Sequence, residues 1–163
     1  ADKTYDRSHV MTLPKQDHQF SIKKMNKVNY SFKSLNKAFD EAANKHSEKV
    51  KDLLTGMSAS DFSTQLETEF GLGWGNRFEK QALRFIPVMC ASGSNSGSAL
   101  DHMLAHRVMR HGKVTARYDV NADGVRNLIG ALNGLWKDLE LEGTPERSLE
   151  LLEKDIKRKE AGF

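Results

Sequence analysis

One stretch near the C-terminal end constrains the fold most, because its apolar residues recur with the period of an α-helix. They are Val125, Leu128, Ile129, Leu132, Leu135, Trp136 and Leu139. Spacings of three and four residues place these side chains on one face of a helix and the polar residues on the other. The stretch therefore predicts a long amphipathic helix over residues 123–139 whose apolar face packs against other helices.

The same period recurs along most of the chain after residue 30. It predicts further helices over about 31–54, 60–70, 76–90, 98–112 and 145–160. Ser31 or Ser34 is expected to cap the first helix, and Ser98 with Asp101 resembles a capping box at the start of the fourth. The helix over 76–90 is apolar on most faces, which predicts that it is central, with Pro87 kinking it or marking its last turn. The predicted fold class is mainly α, a bundle of about six helices.

The first thirty residues have a different pattern. Val10, Met11 and Leu13 predict a short strand, and Phe20 and Ile22 predict a second extended stretch. A strand this short needs neighbouring strands to satisfy its backbone groups, and the rest of the chain predicts helices. We therefore expect residues 1–30 to be the end of a preceding domain and a linker, residues 31–163 to be a helical domain, and the chain to be the C-terminal piece of a larger protein.

Composition excludes few functions. The 163 residues carry 25 Lys and Arg against 22 Asp and Glu, so the net charge is +3. Such a mild excess permits an anionic partner without predicting one. A single cysteine, Cys90, cannot form a disulfide within the chain, which favours a reducing cytoplasm; we interpret it as a small core residue rather than a reactive thiol. No apolar run approaches membrane-spanning length.

Residues 119–124 match the first half of an EF-hand calcium loop. Position twelve of that loop would be Gly130, where a bidentate glutamate is required, so calcium binding is not expected. The prediction is instead a turn in which Asn121 or Asp123 caps the following helix.

Two histidines, His102 and His106, are four residues apart and could share one face of a helix, with Asp101 nearby. A zinc site would need a third ligand from elsewhere, and the sequence contains no second cluster. We predict no metal ligands.

Three glycines in five residues, at positions 71, 73 and 75, predict a turn with positive φ angles. Arg77 follows directly, at the start of an apolar helix. An arginine beside free helix amides suits a phosphate, and the alternative is an ordinary surface arginine of a first turn. The sequence contains neither a phosphate-binding loop nor a nucleophile-elbow motif.

Three stretches resemble, in order, the C-terminal part of McrB-type AAA+ NTPases, the nucleotide-hydrolysing subunits of modification-dependent restriction systems. DKTYDRSHV at residues 2–10 resembles the phrase that leads into the last strand of the ATPase core. GWGNR at 73–77, followed by LRFIP at 83–87, is similar to the opening of the sensor-2 helix of the lid. ALDHML at 99–104 with RVMR at 107–110 resembles a later lid helix. The resemblance covers about residues 2–112.

The resemblance implies roles for two arginines. Arg77 would be the sensor-2 arginine, reaching the nucleotide of its own subunit, and Arg7 would be an interface arginine for the neighbouring subunit, oriented by Asp6. The full-length protein would bind GTP or ATP with Mg²⁺, form a ring, and power DNA restriction with a nuclease subunit, without a membrane. No bound cofactor and no hydrolysis are expected from this fragment alone.

A different class of function stays open. The chain could be a non-enzymatic helical module that binds protein or nucleic acid. The lysines between Lys15 and Lys37, interspersed with Phe20, Tyr30 and Phe32, could contact phosphates.

Overall fold

The computed structural model describes residues 31–73 and 75–162. These ranges contain six helices: α1 (Phe32–Ser58), α2 (Asp61–Phe70), α3 (Asn76–Ala91), α4 (Ser96–Arg107), α5 (Ala122–Asp138) and α6 (Glu146–Glu160). The prediction of a mainly α fold is confirmed. The predicted strand over 10–13 and the extended stretch near Phe20 and Ile22 lie outside the described residues. In the part that is described, no helix is long and apolar enough to cross a membrane.

Several helices begin at a side chain that accepts a hydrogen bond from a first-turn amide. Ser31 caps α1, Ser60 caps α2 and Asn121 caps α5. An oxygen at this position satisfies one of the amides that the helix itself leaves unpaired. The predicted caps at Ser31 and Asn121 are therefore confirmed.

The predicted start of α4 is wrong by two residues. The carboxamide oxygen of Asn95 accepts a hydrogen bond from the amide of Ser98 at 2.7 Å, so the helix begins at Ser96. Asp101 is thus not part of a capping box on its own helix. Its carboxylate is left to form contacts elsewhere in the fold.

The predicted end of α1, near residue 54, is also too early. The helix continues beyond this point, and Gly56 lies inside it. A Cβ atom at Gly56 would come within 2.6 Å of Leu139 Cδ2. Glycine at this position therefore allows the segment after α5 to approach α1 closely, and the helix continues to Ser58.

The central helix is α4, not α3 as predicted. It buries residues on nearly every side: Gly97, Ala99, Leu100, Asp101, His102, Met103, Leu104, Ala105 and Arg107. Helix α3 buries only Ala82, Ile86 and Pro87. The buried set of α4 contains three charged or polar side chains, Asp101, His102 and Arg107. Because buried polar groups need partners, these three mark where α4 makes specific contacts.

The helices pack on one another in the spatial order α1, α3, α4, α6, α5, α2, and α2 also touches α1. They enclose a core whose largest fully buried side chains include Met57, Phe62, Leu66, Phe70, Leu100, Leu128 and Leu132. Burial of such side chains stabilises the fold by about 1.5–3 kcal/mol each. The first buried residue of α1 is Val50, so the N-terminal half of this helix contributes little to the core.

Candidate functional site

The turn between α2 and α3 carries the predicted arginine. Gly71 ends α2 in the left-handed conformation, with φ at 61°, and the amide of Leu72 reaches back to the carbonyl of Leu66 at 2.9 Å. This hydrogen bond satisfies a carbonyl that the end of the helix would otherwise leave unpaired. The predicted turn therefore has a positive φ at Gly71, and Gly73 and Gly75 do not adopt one.

Arg77 is the second residue of α3 and its side chain is exposed. The N-cap residue is Gly75, which offers no side-chain acceptor to the amides of the first turn. The amino end of a helix carries a positive partial charge that favours an anion, and Glu79, in the same first turn, partly offsets it. The position of Arg77 in the first turn is the one that the sequence predicted.

A groove of about 860 Å³ runs between α1 and α3. Its lining includes three cations of α3, Arg77, Lys80 and Arg84, which lie three and four residues apart and so share one helix face. On the α1 side, Asp40 Oδ1 lies 4.0 Å from Arg84 Nη2, with both side chains exposed. The volume is in the range of small-molecule sites. Arg77 therefore lies in the wall of this α1–α3 groove.

A second groove, of about 560 Å³, lies between the end of α4 and α6. Five cations line it: Arg107, Arg110, Arg147, Lys154 and Arg158. His106 and His111 are also in its wall, together with two carboxylates, Glu150 and Asp155. We call this the basic groove. Sequence reasoning did not predict it.

A buried polar network connects α4 to the start of α6. The two carboxylate oxygens of Asp101 accept hydrogen bonds from the amides of Arg147 and Ser148, each at 3.0 Å. The N-cap of α6 is Pro145, which has no capping side chain. Asp101, 4% exposed, thus caps a helix that lies more than forty residues further along the chain.

The same network fixes the side chain of Arg147. Its Nη1 lies 2.7 Å from Nδ1 of His102, a ring that is 1% exposed and stacked on Phe85. Since a guanidinium can only donate, Nδ1 must accept, which assigns the proton of the neutral imidazole to Nε2. Arg147 is therefore held at both its backbone and its guanidinium.

His106 shares the mouth of the basic groove with these groups. Its ring centroid lies 4.4 Å from that of His102, at an interplanar angle of 45°. Partial burial, together with the positive charges of Arg147 and Arg107, lowers the pKa of His106 below its ordinary value of 6.5, while Asp101 opposes the shift. Burial is the largest cause, and the positive charges of the two arginines add to it.

Measured by the NMR titration of its ring proton, the pKa of His106 is expected to lie below the ordinary value and to rise in Arg147→Ala. His106 binds a proton more readily in the unfolded chain than in the folded protein. The stability that the neutral ring contributes is therefore present at neutral pH and is lost as pH falls through about 6.5. Urea unfolding at several pH values measures that loss. An unchanged pKa in Arg147→Ala would contradict the contribution assigned to the charge of Arg147.

The stretch that resembles half of a calcium loop and the histidine pair both have structural roles. Asn121 Oδ1 accepts a hydrogen bond from the amide of Gly124 at 2.9 Å, and Asp119 pairs with Arg117, which lowers the pKa of the Asp119 carboxyl. Nδ1 of His102 is occupied by Arg147. Within residues 31–73 and 75–162, no group of three or more His, Cys, Asp or Glu side chains is placed to hold a metal ion.

The remaining predicted residues are Cys90 and Arg7. Cys90 is half-buried against the core, and burial raises the pKa of its thiol, so its thiolate form is disfavoured. Arg7 lies outside the described residues, as does most of the lysine-rich segment from Lys15 to Lys37. The described structure therefore contains one of the two predicted arginines.

Comparison of the chain with models of known protein families, with curated proteins and with solved structures gave no match. Its function is therefore argued from the two grooves and from the sequence motifs.

Proposed function

We propose that this chain carries the helical lid of an AAA+ NTPase of the McrB type. In the full-length protein the lid would close on GTP or ATP in a ring of subunits, which powers DNA restriction with a nuclease subunit in the cytoplasm. The single observation that carries the proposal is the position of Arg77, exposed in the first turn of α3 at an amino end that has no side-chain cap.

The chemistry of phosphoryl transfer explains what Arg77 would do. Negative charge is spread over the γ-phosphate oxygens in the transition state, and positive groups held nearby stabilise it. A guanidinium on the first turn of a helix adds its own charge to that of the helix end. Lys80 and Arg84, on the same face, would extend the positive surface along the groove.

Other parts of the proposed reaction lie outside the described residues. Arg7 would act on the nucleotide of the neighbouring subunit, with Asp6 orienting it. The described residues contain no carboxylate cluster for Mg²⁺. Mg²⁺ would neutralise the phosphates from ligands in the rest of the full-length protein, and the described helices would contribute the lid arginine.

The test is to measure the binding of Mg²⁺-free ATP and GTP to the 163-residue chain by NMR titration, in the wild type and in Arg77→Ala. We expect shifts concentrated at the start of α3, and about a tenfold or greater loss of affinity in Arg77→Ala, because a charge-assisted hydrogen bond to phosphate contributes about 1.5–3 kcal/mol.

Lys137→Ala is the matched control, since Lys137 is an exposed cation of α5 outside the lining of the α1–α3 groove. It should bind nucleotide as the wild type does. Equal losses in both variants, or nucleotide shifts confined to other helices, would refute the assignment of Arg77.

A second candidate function, a non-enzymatic module that binds protein or nucleic acid, is favoured by one observation. This is the clustering of five cations in the basic groove, on helices that the Arg77 site does not use.

A further inference from the structure

We propose that the basic groove between α4 and α6 binds the phosphodiester backbone of a nucleic-acid strand. The groove is separate from the α1–α3 groove that contains Arg77, and no lining residue is shared between them. The inference therefore does not depend on the proposed lid function.

The first argument is the alignment of cations along α6. Arg147, Lys154 and Arg158, with Leu151 between the first two, are spaced by four, three and four residues, so they form one stripe on the helix surface. At 1.5 Å per residue the stripe is about 16 Å long. A single phosphate group is much shorter than this row, whereas a nucleic-acid backbone carries a charge at every nucleotide.

The second argument is the opposite wall. Arg110, half-buried just beyond the end of α4, lines the same groove, and Arg107, 8% exposed, lies behind it at the end of the helix. The stripe of α6 therefore faces further positive charge across a concave surface. Planar guanidinium groups bind phosphate oxygens with two parallel hydrogen bonds, as they also bind carboxylates. Two cationic walls predict a strand lying along the groove rather than across it.

The third argument is the balance of charge within the lining that the structure describes, where two carboxylates accompany five cations. Asp155 is 2% exposed; its Oδ1 accepts a hydrogen bond from the amide of Ala116 at 2.7 Å, and its Oδ2 lies 3.7 Å from Lys159. Lys159 is not part of the lining, so it compensates Asp155 from outside the groove. Glu150 is the other carboxylate of the lining and is exposed. The lowered pKa of His106 is consistent with the resulting positive potential.

The fourth argument is preorganisation. Arg147 is held by His102 through its guanidinium and by Asp101 through its amide, so less side-chain entropy is lost when a ligand binds. Leu151, 37% exposed in the middle of the stripe, offers an apolar contact for a sugar or base. A cation held in place beside an exposed apolar side chain is an arrangement that suits a surface along which a strand lies.

The experiment uses fluorescence anisotropy with a labelled oligothymidylate of about 16 nucleotides, near the upper site size of single-strand binders. The test variant is the double change Lys154→Glu with Arg158→Glu. Both residues are exposed on α6, so the fold should be preserved, as thermal unfolding will verify. The control is Lys157→Glu with Lys137→Glu, which makes the same change in net charge at exposed residues outside the groove.

We expect the affinity of the wild type for the oligonucleotide to fall steeply as the salt concentration rises. The groove variant should bind at least about tenfold more weakly, and its slope of log affinity against log salt should be smaller by about two. The control should change affinity about twofold or less through long-range electrostatics. Arg77→Ala should bind the oligonucleotide as the wild type does, which separates this result from the nucleotide test.

Three results would overturn the proposal. The first is no binding at low salt, and the second is an equal loss in the control, which would mean that net charge alone attracts the strand. The third is equal or tighter binding of inorganic tripolyphosphate or of a polyglutamate peptide at the same charge concentration. Those ligands would identify a compact polyphosphate or an acidic protein segment as the partner in place of nucleic acid.

Discussion

Replacing Asp101 with alanine is expected to lower the free energy of unfolding by about 2–4 kcal/mol, because one buried and one part-buried amide lose their acceptor. These amides, of Arg147 and Ser148, belong to the first turn of α6, whose N-cap Pro145 cannot replace the missing oxygen. The loss also removes the connection between the central helix and α6. Chemical unfolding followed by circular dichroism measures the effect.

Two further variants test whether the lost hydrogen bonds cause this destabilisation. Asp101→Asn keeps one carbonyl oxygen and so should lose less stability than Asp101→Ala. Asp52→Ala removes an exposed carboxylate of α1, and such surface changes are usually within about 0.5 kcal/mol. If Asp101→Ala were no more destabilising than Asp52→Ala, the capping role of Asp101 would be wrong.

The sequence predicted the helices well because the signals that define them are local. The apolar stripe from Val125 to Leu139 identified α5, and the capping side chains of Ser31 and Asn121 were recognised from neighbouring residues. The start of α4 was missed because two local signals competed. Asn95 and Ser98 are both good caps, and only the three-dimensional structure shows that Asn95 accepts the bond.

The contacts between helices could not be predicted in the same way. Asp101 and Arg147 are far apart in the chain, and neither carries a local signal for the other. The buried polar residues of α4 lower its apparent hydrophobicity, so the sequence pattern favours α3 as the central helix. A polar residue looks the same in sequence whether water or a buried partner satisfies it.

The two candidate sites differ in the same way, because one has a local sequence pattern and the other depends on contacts between helices. Arg77 was found from sequence because a glycine turn followed by an arginine at a helix start is a local pattern. The basic groove was missed because its two walls come from separate segments. On α6, Lys154 and Arg158 lie in a run of charged residues, 153–155 and 157–160, which in sequence has the pattern of an ordinary solvated helix face. Their spacing with Arg147 was the available signal, but only packing against the end of α4 makes the stripe concave.

Gly97→Ala is expected to destabilise the fold by about 2–3 kcal/mol or more, the range of overpacking in a tight interior. A Cβ atom at Gly97 would lie 2.3 Å from the carbonyl oxygen of Glu142 and 3.3 Å from Trp136 Nε1. The carbonyl oxygen of Glu142 belongs to the backbone, so this clash can be relieved only if the loop between α5 and α6 moves. Because that loop positions α6 on α4, the displacement would extend to the contacts of Asp101.

Two other glycines of the same chain supply a graded control for this steric argument. Gly130→Ala, in α5 with no atom within 4 Å of the new Cβ, should raise stability by about 0.5–1 kcal/mol through the higher helix propensity of alanine. Gly56→Ala meets the end of the Leu139 side chain at 2.6 Å, which can rotate, so its loss should fall between the other two. Urea unfolding of the three variants tests the order. A Gly97→Ala protein as stable as Gly130→Ala would show that the loop yields freely, and that close packing of α4 against it does not hold α6 in place.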